Sequence, residues 1–226
     1  MTNGDPKKFV AVAHASKLLE TFGICRPDEI CLEDIASVLG IVIETRPLKA
    51  ADAHLLRVGD SGTITISEKI AVDPCRARFA IAHELGHWIL HKDKSQHFLC
   101  TTEDLRDYKS SPLELEANAF AAELLMPRRM IPGRILKMDP GLEPVRQIAD
   151  IFNVSLTAAA VRWVSELSDH PVMMVISDGT ESHWWRHNEK RAKTLRLQSR
   201  QRLATETCAH AWAHNCLGST PVLSTS

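Results

Sequence analysis

The chain has 226 residues, of which 44% are hydrophobic, 5% aromatic and 24% charged. That is enough apolar material for a buried core without disulfide staples, and too much for intrinsic disorder. Lys and Arg number 27 against 28 Asp and Glu, a net charge of −1, so no global field draws in nucleic acid or an anionic membrane.

The N-terminal stretch MTNGDPKKFVAVAHASK has two lysines but no sustained apolar core after them, and it does not read as a secretion signal. Residues 6–22 carry a helical apolar stripe, with Gly23 as a stop. A short helix over 34–39 ends at Gly40, and the β-branched run 41–45 reads as a strand. Residues 54–58 and 63–67 flank Gly59-Asp60-Ser61-Gly62, a hairpin signal. A long helix is predicted from Pro74 to His91, with proline at its first position. Residues 93–111 are polar and weakly periodic, a surface loop. Ser111 is placed to cap a helix from Pro112 to Met126, which Pro127 stops. Helices over 143–152 and 156–167 follow, and then a strand pair, 172–176 and 182–186, around Asp178-Gly179. No apolar run approaches the ~20 residues of a membrane span. The expectation is a cytoplasmic α+β protein, predominantly helical, with a small antiparallel sheet or hairpin.

The sharpest feature is His83-Glu84-Leu85-Gly86-His87, an H-E-x-x-H inside the long helix. Histidines at i and i+4 project from one face and can share one metal ion. The intervening glutamate can reach a water at that metal without ligating it. This chain's own composition would give the pattern by chance about 0.03 times. A zinc hydrolase needs a third protein ligand and an open position. The helix 112–126 offers glutamates in its first turns and small alanines that allow close helix approach. Negative charge there is also what any helix N-terminus favours.

Arg78 to His91, followed by Glu114-x-Glu116-Ala117-Asn118-x-Phe120-Ala121-Ala122-Glu123-Leu124-Leu125-Met126-Pro127, resembles the ImmA/IrrE family of metallo-endopeptidases. The likeness joins two separate motifs in the right order and extends more loosely from about residue 10 to about residue 165. It implies a zincin-like core, Zn2+ as cofactor, and a regulatory role in which relatives cleave helix-turn-helix repressors. A repressor substrate is then expected to come from a separate chain. The resemblance also implies His83 and His87 as metal ligands, a glutamate as the third, and Glu84 as the catalytic base.

Glu114 and Glu116 compete for that third place. They lie about 200° apart on an ideal helix, so both cannot face one ion. Asn118 shares Glu114's face one turn on, where it can accept a hydrogen bond from a ligating histidine. Glu116 has Phe120 at i+4 instead. The family's E-x-x-A-[ND] arrangement, here Glu114, Ala117 and Asn118, puts the first glutamate on zinc. Glu114 is therefore assigned to the metal, and Glu116 is expected near the site or salt-bridged.

Weaker signals remain. Tyr108, in the loop between the motifs, can in principle donate to an oxyanion, but an ordinary surface role is expected. Residues 146–163 have the spacing of a helix-turn-helix, yet Arg146 and Arg162 are their only basic residues, so a plain helical pair is expected over DNA contact. Residues 186–202 carry seven Lys/Arg against one Glu and read as a solvated helix or extension rather than a docking surface. Cys208, His210 and His214 read as part of a plain tail helix rather than a second metal group. Cys25, Cys31, Cys75 and Cys100 are expected as reduced core fillers. The predicted organisation is a metallopeptidase domain over 1–142, a helix-turn-helix-like pair over 143–167, and an extension over 168–226. The leading function is a zinc-dependent endopeptidase acting on a regulatory protein such as a helix-turn-helix repressor. The alternatives are a non-catalytic module that binds a repressor or DNA, and a peptidase of broad specificity.

Overall fold

The computed structural model describes residues 6–49, 51–92, 97–100, 111–178, 180–188 and 202. The chain divides into two compact units, Met1–Met130 and Ile131–Ser226. The architecture is α+β, with a small mixed sheet among the helices.

The first unit opens with helix α1 (Pro6–Thr21), a 3-10 turn at Pro27–Glu29, and α2 (Leu32–Val38). Strands β1 (Ile41–Arg46), β2 (Ala53–Val58) and β3 (Ser61–Ser67) follow. β2 and β3 form the hairpin that the glycine-rich turn predicts, with Val58 opposite Ser61. β1 joins β3 in parallel, Ile41 opposite Gly62, so the sheet is mixed rather than antiparallel throughout. After the short α3 (Glu68–Ala71) comes α4 (Pro74–Leu90), which carries the H-E-x-x-H motif. Asp73 caps it by accepting from the Arg76 N–H at 3.1 Å, and Pro74 fills the first helical position, where no amide donor is needed.

A fourth strand, β4 (His97–Cys100), pairs antiparallel with β2, giving the order β1-β3-β2-β4. It lies inside the stretch read as loop. The sequence there has no alternating pattern, and it is β2's free edge that supplies the hydrogen-bond partners. Helix α5 (Pro112–Leu125) completes the unit's long elements. Ser111 occupies its N-cap position, but the side chain makes no capping hydrogen bond, contrary to expectation.

α5 packs on both α1 and α4, and α4 also packs on β2 and β3. Two glycines set these approaches. A Cβ on Gly86 would stand 3.1 Å from Ala117 Cα, so glycine on α4 against alanine on α5 lets the two backbones meet closely. A Cβ on Gly62 would stand 2.6 Å from the Trp88 ring. The same indole takes the buried Arg57, whose guanidinium carbon lies 3.5 Å from the ring centroid. Arg57 also donates to the Trp88 carbonyl, so its buried charge is both stacked and hydrogen-bonded.

The second unit holds short helices and a hairpin: α6 (Gly133–Leu136), α7 (Leu142–Phe152), α8 (Leu156–Arg162), β5 (Met173–Ser177) and β6 (Ser182–His187). α7 ends at Asn153, whose φ of 50° is the left-handed C-cap conformation, and Ser155 Oγ caps α8 by accepting from Ala158 N at 3.1 Å. The helix expected over 156–167 changes at Trp163 into a π-helical turn, Trp163–Leu167. Asn188 donates to the Ser168 carbonyl at 2.7 Å and ties the end of β6 to the chain beyond that turn. No helix among the described residues is long and apolar enough to cross a membrane.

The expectation for the cysteines is corrected. Cys25 is exposed, and Cys31 and Cys75 are half-buried free thiols, so none of these three fills the core. Each sits at or next to a helix start or turn, where apolar neighbours in sequence do not mean burial in space. Tyr108, Cys208, His210, His214 and residues 189–201 of the basic stretch lie outside the described residues.

Candidate metal centre

His83 and His87 share a face of α4 at i and i+4, and His91, the C-cap residue at i+8, follows one turn on. All three are buried, and so is Glu84. Burying that much polarity is costly unless each group finds a partner, and α5 supplies partners from the opposite side.

His83 Nε2 lies 2.9 Å from the Glu114 carboxylate and 3.0 Å from His87 Nε2. His87 Nε2 lies 3.3 Å from the same carboxylate. One atom from each of His83, His87 and Glu114 falls within 4.8 Å of the others. His83 Nδ1, facing away from this cluster, is 2.9 Å from Asn118 Oδ1. Glu114 and not Glu116 therefore faces the two histidines. Glu116 reaches the next turn of α4, with Oε2 3.0 Å from His91 Nε2, and its Oε1 lies 3.9 Å from Lys7 Nζ on α1.

The electrostatics favour a neutral His87 imidazole beside an ionised acid. Burial, together with the neighbouring His83 and His91, lowers the His87 pKa to about 4, although Glu114 pulls the other way. Burial alone would raise Glu114, but its hydrogen bonds with His83 and His87 outweigh that and hold the carboxyl well below the usual range. Two imidazole nitrogens and a carboxylate oxygen converging on one point suit a divalent metal, which needs its ligands deprotonated.

Sequence reasoning placed no role on His91. The signal was present in the spacing, since His91 continues the His83–His87 series by one more turn. Farther along α5, Glu123 is buried and takes a structural part: it accepts from Ser16 Oγ at 3.1 Å and from the Arg128 N–H at 3.3 Å.

A buried H-E-x-x-H helix crossed by a glutamate-bearing helix defines a metallopeptidase-type hydrolase. The model of the IrrE N-terminal-like domain, peptidase family M78, matches residues 36–164, more than half of the chain, and the chain belongs to this family. No curated protein gives a significant match.

Proposed function

We propose that the chain is a cytoplasmic zinc-dependent endopeptidase that inactivates a regulatory protein, a helix-turn-helix repressor being the substrate class. The convergence of His83, His87 and Glu114 beside Glu84 is the observation that carries this reading. The two histidines and Glu114 would hold the ion, a His2Glu set that leaves a coordination position open. Zinc, when bound, supplies Lewis acidity to the scissile carbonyl and to the attacking water. Glu84 takes a proton from that water as it adds to the carbonyl and returns it to the leaving amine, so the peptide bond breaks with no net proton change at Glu84. Asn118 accepts from His83 Nδ1 and so keeps Nε2 bare for the ion.

The intact Glu84 favours chemistry over a binding scaffold, because a module that only binds has no use for it. Contact with DNA through α7 and α8 has less support. Of their two arginines, Arg162 is buried and paired with Glu166. The repressor substrate rests on the family likeness. The test is incubation of the zinc-loaded protein with a repressor encoded beside its gene, wild type against Glu84→Gln. Cleavage by wild type alone is expected. Cleavage by both, or by neither under any metal condition, would overturn the enzyme reading.

A further inference from the structure

The polar face of α4 does not stop at His87. His91 is the C-cap residue of the helix, and its side chain is fully buried. His91 Nδ1 lies 2.9 Å from His87 Nδ1, and His91 Nε2 lies 3.0 Å from Glu116 Oε2. We infer that His91 and Glu116 are positioning residues that fix the tautomer and ring orientation of His87 for its metal ion. This rests on the reading of His83, His87 and Glu114 as zinc ligands.

Proton placement carries the argument. His87 Nε2 is the ring nitrogen that faces His83 and Glu114, so it must be bare to bind an ion. A neutral His87 then carries its proton on Nδ1 and donates to His91 Nδ1. For His91 to accept there, its own proton must sit on Nε2, which donates to the Glu116 carboxylate. One assignment of protons satisfies both contacts. Placing the His91 proton on Nδ1 instead would bring two N–H groups face to face at 2.9 Å and leave Glu116 opposite a bare nitrogen. The carboxylate thus sets His91, and His91 sets His87.

The two ligating histidines are supported unequally. His83 donates to a neutral amide, Asn118, whereas His87 donates through a second imidazole to an acid. A carboxylate at the end of such a chain polarises the imidazoles and strengthens the terminal nitrogen as a donor to metal. Glu116 extends the chain to α1 through Lys7. The pair therefore gives Glu116 a task that its exclusion from the metal cluster leaves unexplained.

The experiment compares zinc affinity of wild type, His91→Phe, Glu116→Ala and Glu116→Gln by competition with a chelator. The visible absorption of the cobalt(II) forms and the circular dichroism of the metal-free proteins are recorded alongside. His91→Phe and Glu116→Ala are expected to weaken zinc roughly 10- to 100-fold and to alter the cobalt spectrum while remaining folded. Glu116→Gln, which still accepts from His91 without the charge, should fall between them and wild type. A role in packing alone would lower stability and leave zinc affinity and the cobalt spectrum unmoved, and that result would overturn the inference. If His91→Phe fails to fold, the isosteric Glu116→Gln decides by the same two readouts. If wild type itself takes up no zinc, the zinc reading fails first and the inference with it.

Discussion

Where α4 crosses α5, the buried set includes His83, Glu84, His87, Asn118 and Glu123. Where α7 and α8 follow one another, it is Val145, Ile148, Phe152, Ala159 and Ala160, with Arg162 the charged member among the described buried residues. Both pairs are regular helices with a capped start on one member, and both bury a face. They differ in what the buried face is made of. Apolar burial needs only a fitting neighbour, whereas each buried imidazole and carboxylate needs a partner at hydrogen-bond distance. At the first crossing the partners come from the opposite helix: Asn118 and Glu114 for His83, Glu116 for His91. A helix pair that sets so many matched polar contacts within its apolar packing is one shaped by chemistry, and the other is shaped mainly by packing.

That contrast can be broken most forcefully at Glu84. Glu84→Gln should lower turnover of a cleavable substrate by roughly 10²- to 10⁴-fold with zinc content unchanged. Metal analysis beside the assay checks both halves. Glu114→Ala should lose zinc and activity together, so that the gain of about 2.7 kcal/mol that a hundredfold excess of zinc over its dissociation constant gives wild type disappears.

Truncations in the two pairs sharpen the comparison. Phe120 is fully buried on α5, and Phe120→Ala should cost about 3–5 kcal/mol. Ile148, equally buried on α7, should cost about 2–5 kcal/mol as alanine yet leave zinc affinity as it is. Urea unfolding with a parallel zinc titration separates them, and a loss of zinc affinity in Ile148→Ala would blur the distinction drawn above. Gly86→Val, which forces a branched side chain toward Ala117 Cα, should cost about 1–3 kcal/mol by overpacking and weaken zinc as the helices are pushed apart.

The smallest effect is a pH effect in the second unit. Asp178 accepts from the Glu181 N–H at 2.9 Å, from Thr180 Oγ1 at 2.7 Å and from the Thr180 N–H at 2.8 Å. These bonds, the Glu181 amide foremost, hold its pKa below the ordinary 3.8. A carboxyl depressed in the folded state stabilises above its unfolded pKa and loses that contribution as pH falls through the folded value. The β5–β6 hairpin should therefore loosen as pH drops below about 4, and Asp178→Ala should abolish that dependence in amide exchange of the turn. An unchanged acid response in the variant would place the sensitivity elsewhere.

Local patterns were legible in the sequence, and pairings between distant segments were not. His83, Glu84 and His87 sit on one helix at a spacing that alone implies a shared face. Glu114 was separable from Glu116 by their angular difference on α5 together with the family pattern. The parallel partnership of β1 with β3 was hidden because a strand's apolar content does not name its neighbour, and the alternating hairpin suggested an antiparallel sheet. β4 was hidden because its residues lack alternation and become a strand only against β2. The link between His91 and Glu116 needs the crossing angle of α4 and α5, which no periodicity in either helix contains. The exposed Cys25 shows the same limit from the other side, since local hydrophobicity near a turn does not imply enclosure.

The indole of Trp88 follows His87 directly, is buried, and packs against both Gly62 and the Arg57 guanidinium. The second unit has its own enclosed indole, Trp163, whose ring N–H has no hydrogen-bond partner among the described residues. Each unit thus carries a built-in optical reporter in a buried setting, one of them adjacent to a residue of the metal cluster. Light absorbed by Trp88 samples the electric field of a stacked cation and the helix that bears the histidines, so changes in its emission follow that helix, while Trp163 reports on a π-turn in a separate core. Emission lost from wild type in Trp88→Phe, and separately in Trp163→Phe, isolates each ring from Trp184, Trp185 and Trp212, so melting of each unit can be followed without an added dye.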